Sequence, residues 1–88
     1  MTINFPDVVI TKENVLFCRR KVAQYLEEAR QYEAKAETCK PSQRGAYRSH
    51  AAQARKIALS MQGNEAAQMS WLAENNPPLW KELVDREA

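Results

Sequence analysis

Between Thr11 and Cys39 the chain carries neither Gly nor Pro, and apolar residues recur there at heptad spacing: Val15, Cys18, Val22, Tyr25, Ala29, Tyr32, Ala36 and Cys39. No charged residue interrupts this seam. Three-and-four spacing places all of these side chains on one narrow stripe of a long helix, and a stripe so narrow asks for a helical partner. The pattern predicts a first helix over residues 11–39, with Thr11 as its N-cap.

The partner follows at once. Cys39-Lys40-Pro41-Ser42 stops the helix, because proline cannot continue an interior turn while Ser42 can cap a new one. A connection this short forces two antiparallel neighbours, a helical hairpin. The second helix is expected over 43–62, with Tyr47, His50, Ala51, Ala54, Ile57, Ala58 and Met61 on one face. Folding the hairpin about Lys40 and Pro41 sets residue i across from roughly 81 minus i. That register faces Ala29 with Ala51 or Ala54, a pairing that lets the helices approach closely. It also faces Glu37 with Arg44, Glu33 with Arg48, and Glu27 or Glu28 with Arg55, so the charges match.

Gly63 reads as a helix stop, followed by a short third helix over 65–75 with Ala66, Met69, Leu72 and Ala73 on one side and Trp71 off that stripe. The rival reading continues the second helix through Gly63 to Asn75 at a cost of about 1 kcal/mol for the glycine. Asn76 and Pro77 then have the residue types of an N-cap and a first helical position, opening a C-terminal helix over 77–86 with Leu79, Trp80, Leu83 and Val84 at helical spacing. Residues 1–10, with Ile3, Phe5, Val8, Val9 and Ile10 around Pro6, form an apolar extended arm. The fold class expected is all-α, a single domain made of a long antiparallel helical hairpin extended by short C-terminal helices.

Composition narrows the chemistry. The 88 residues hold two glycines and much Ala, Glu, Gln, Lys and Arg, which favours helix and leaves strand candidates nearly absent. No apolar run approaches the roughly 20 residues of a membrane span, and the first residues lack the basic start and apolar core of a signal peptide, so a cytoplasmic, membrane-free location is the default expectation. Cys18 and Cys39 lie about 30 Å apart on one unbroken helix, too far for a disulfide. With a single histidine and no Cys-x-x-Cys spacing, neither a zinc site nor any other metal or cofactor is expected. His50 reads as an edge or core histidine bonded to Tyr32 or Tyr47 rather than a general base, since no third group or phosphate-cradling loop accompanies it. No enzyme is indicated.

Two binding readings are left. Residues 38–64 contain five cations (Lys40, Arg44, Arg48, Arg55 and Lys56) and no acid, whereas 65–88 carry a net charge of −3. Arg44, Arg48 and Arg55 share one helical stripe with Tyr47 nearby, the arrangement that phosphate contacts would use, so nucleic-acid or nucleotide binding is the alternative. Against it, the acidic second half of the first helix neutralises much of that stripe. The favoured reading is a small protein-binding module, an adaptor or inhibitor that occupies a surface of a larger protein. Its size and lack of catalytic groups are those of small accessory proteins of phages and other mobile elements, a likeness that no motif carries. Two helices cannot cover all the apolar surface, so either the terminal segments fold back or a second subunit or foreign protein covers it. Self-association and a partner site at Trp71, Leu79, Trp80, Leu83 and Val84 are therefore expected, with the two tryptophans as anchors.

Overall fold

The computed structural model describes residues 9–86. They form three helices: α1 (Lys12–Thr38), α2 (Pro41–Asn75) and α3 (Pro77–Asp85). Among the described residues there is no strand. The first two helices pack against each other as an antiparallel hairpin, and α3 folds back onto the open end. The long dimension of the molecule, 52 Å, is the length of α2.

Each helix starts where the local chemistry asks. Thr11 caps α1 reciprocally: its hydroxyl accepts from the Asn14 backbone N–H at 3.3 Å, and the Asn14 side chain accepts from the Thr11 N–H at 2.8 Å. Asn76 caps α3 by accepting from the Leu79 N–H at 3.4 Å, with Pro77 in the first helical position. At the hairpin turn the boundary moves. Pro41, rather than a residue after Ser42, opens α2, and Lys40 is held extended before it with no side-chain cap.

The expected break at Gly63 does not occur; α2 runs unbroken for 35 residues. The reason lies in α1, whose 27 residues make a rod of about 40 Å. A partner stopping at Gln62 would leave the first turns of α1 bare. Continuing through Gly63 costs about 1 kcal/mol, and it lets Met69 and Leu72 reach Val15. The separate third helix over 65–75 is thus the last third of α2. Within it Leu72 is buried and Met69 half-buried, whereas Ala66 and Ala73, expected on the same inner side, are exposed.

The seam of α1 is as expected. Val15, Cys18, Ala29 and Ala36 are buried, and Val22, Tyr25, Tyr32 and Cys39 are half-buried. Across it, α2 contributes Ala51, Ala54 and Ala58. At the open end Val15, Leu72 and Leu83 form a cluster of large buried side chains, with Ile10, Leu16, Met69, Trp71 and Leu79 packed around it. The arm over residues 1–10 lies outside the described residues up to Val8. Of its last two residues, Val9 is exposed and Ile10 joins that cluster.

Candidate interaction surface

The five residues expected to bind a partner do not share one environment. Leu83 is fully buried between α1 and α2, and Leu79 and Trp71 pack around the same cluster. Val84 is half-buried, and Trp80 is 37% exposed. The inner side of α3 therefore completes the fold. Trp80 and Val84, one turn apart along its flank, are what it leaves at the surface.

Polar ties hold α3 in place. Arg19 of α1 donates from Nε to the Glu65 carboxylate of α2 at 2.7 Å and from Nη1 to the Leu83 carbonyl of α3 at 3.0 Å. That carbonyl belongs to the last turn of α3, where backbone acceptors lack helical partners and the helix dipole favours a cation. One side chain thus joins all three helices. Lys12 reaches Glu82 at 2.7 Å, and this hydrogen bond, followed by the ammonium charge itself, holds the Glu82 carboxyl below its ordinary range, with Arg86 adding a smaller pull.

The basic stripe expected on the second helix is largely committed within the chain. Arg44 donates from Nε to the Ala36 carbonyl at 3.0 Å, capping the C-terminus of α1 as Arg19 caps that of α3. Arg55 pairs with Glu33, about one and a half turns from the Glu27 or Glu28 that the simple register sets across from it. Tyr47 is half-buried, its ring centroid 6.4 Å from that of Tyr32. Among the described residues Arg48 and Lys56 are the two cations of the proposed anion-binding set that make no ion pair or hydrogen bond. Glu33, Glu37, Arg48 and Arg55 wall an open groove of about 430 Å³, floored by Ala36, Ala51 and Ala52. Its two carboxylates make it a poor seat for a polyanion.

His50 is not the hydrogen-bonded histidine expected from the sequence. It is exposed and stacks on the Tyr32 ring at 5.2 Å between centroids, at the edge of the seam. Both cysteines are free, Cys18 buried and Cys39 half-buried at the turn. Among the described residues no group of three or more His, Cys, Asp or Glu side chains is placed to hold a metal ion. No described helix is long and apolar enough to cross a membrane.

Two features escaped the sequence reading. Arg19 stands in a run of three cations with Arg20 and Lys21, and nothing in its spacing announces two partners at positions 65 and 83. Leu59 was missed although it left a signal: it follows the buried Ala58 by one residue, so its side chain projects about 100° from the seam. It is 67% exposed, while Phe17 on α1, outside the seam, is 49% exposed with the Lys21 ammonium 5.6 Å above its ring. Comparison with known proteins returns no family model, no curated protein and no solved structure that matches the chain.

Proposed function

We propose that this chain is a non-enzymatic protein-binding module that docks on a larger protein through the outer flank of α3. The observation that carries the reading is Trp80, partly exposed beside Val84 on the flank of a helix whose inner side, Leu79 and Leu83, packs into the core. A large aromatic at the surface of a rigid helix is the type of group that most often anchors a protein interface. Arg19, Lys12 and Leu83 hold α3 in place, so little ordering entropy remains to be lost when a partner arrives.

The test compares the wild-type chain with Trp80→Ala as bait in an extract of the native host. A partner retained by the wild type at high salt and lost from the variant, whose far-UV circular dichroism is unchanged, supports the reading. Equal capture by both sinks it. Of the cations on the stripe proposed for it, the second reading, polyanion binding, retains Arg48 and Lys56 without an ion pair among the described residues. It requires binding to a generic duplex that weakens steeply with salt and is lost in Arg48→Glu.

A further inference from the structure

Along the side of α2 turned away from α1, exposed residues recur at three-and-four spacing: Lys56, Leu59, Gly63, Ala66, Ser70 and Ala73, with Glu74 beside the last. This is a second heptad stripe on the same helix, and all six of its residues are exposed. Leu59 is two-thirds exposed at 67%, and a side chain built at Gly63 would meet nothing within 4 Å. A glycine in the middle of a helix weakens it unless something must come close. Among the described residues no neighbour needs that space. Lys56 and Glu74 flank the stripe on one side, and among the described residues neither has an ion-pair or hydrogen-bond partner.

We infer that this face of α2 binds the same face of a second copy of the chain, antiparallel, with residue i across from about 130 minus i. Three properties of the stripe select that occupant. In this register Leu59, the one large side chain in it, enters a hole framed by Ala66, Ser70 and Ala73 of the second copy, so the face is complementary to itself in shape. Lys56 lies across from Glu74 of the second copy, and the two-fold axis makes this contact twice. A parallel pair would instead set Lys56 against Lys56. The small residues near the axis, Gly63 and Ala66, let the helices approach closely.

Sedimentation of the full chain at tens to hundreds of micromolar tests the inference. The wild type is expected to be dimeric, and Leu59→Glu to weaken the dimer by at least about tenfold with helical circular dichroism unchanged, because Leu59 is two-thirds exposed in the monomer. Lys56→Glu and Glu74→Lys are each expected to weaken self-association, and an equimolar mixture of the two to recover it, because the mixed pair restores opposite charges at both contacts. A monomer throughout this range, a dimer indifferent to Leu59→Glu, or two charge variants that fail to rescue each other would overturn the inference. The face is separate from Trp80, so Trp80→Ala is expected to leave the dimer intact. Loss of partner capture in that variant and loss of dimer in Leu59→Glu therefore report on different claims.

Discussion

The two ends of the hairpin are built by different means. At the open end three helices meet, large side chains (Val15, Leu72 and Leu83) are fully enclosed, and Arg19 with Glu65 forms an ion pair less than one-fifth exposed. Toward the turn there are only two helices, the buried residues are Ala29, Ala36, Ala51, Ala54 and Ala58, and the ion pair between Arg55 and Glu33 is half in water. Burial free energy scales with the apolar area removed from water, so the open end carries most of the stability. Alanine contributes little by that measure. What it provides is proximity of the two helix axes, and with it a register in which Tyr32 stacks on His50 and Arg44 reaches the end of α1.

The largest effect that would sharpen this contrast is Leu72→Ala, expected to cost about 2–5 kcal/mol in urea denaturation because it empties the centre of the open-end cluster. No seam alanine can lose that much by truncation. At the turn end the sensitive change is in the other direction: Ala54→Leu is expected to cost about 1–3 kcal/mol by forcing the helices apart. If both substitutions acted equally at both ends, the contrast would fail.

Next in size comes the junction. Glu65→Gln leaves the Arg19 guanidinium with a weaker acceptor in a partly buried site, and about 1–3 kcal/mol of stability is expected to go with it. Amide hydrogen exchange should show the loss concentrated in α3. Uniform loss across α1 and α2 would mean that Arg19 does not join the three helices.

Smaller still is Gly45→Ala, near the turn, where nothing lies within 4 Å of the added carbon. It is expected to raise stability by about 0.5–1 kcal/mol, seen as a higher thermal midpoint. The smallest effect concerns Glu82. Its carboxyl is held below the ordinary value of 4.5 by Lys12, so the contribution of the pair is complete above that value and is lost as pH falls through the lowered one. Both tryptophans lie at the open end, so their fluorescence should report a slight acid loosening of α3 that Glu82→Gln abolishes. The pair is exposed, and added salt should shrink the effect.

The hairpin itself was legible because a heptad seam free of charge has one way to be buried, and Pro41 leaves no room for a longer connection. Thr11, Asn76 and Pro77 marked helix ends because capping depends on residue type within one turn. The candidate site was legible only in part. Spacing put Leu79, Trp80, Leu83 and Val84 on a helix, but which of them face the core depends on where α3 lands against α1, and no local pattern encodes that. The same is true of the basic stripe. Arg44 and Arg55 look available for phosphate until the hairpin brings the Ala36 carbonyl and Glu33 beside them.

What the residues determined alone was periodicity, caps and the turn, all set by interactions within a few positions of the chain. The tertiary structure decided that α2 continues through Gly63 and that Arg19 serves three helices. Each of these weighs a local preference against a contact many positions away, and the distant contact wins where it buries more than the local preference costs.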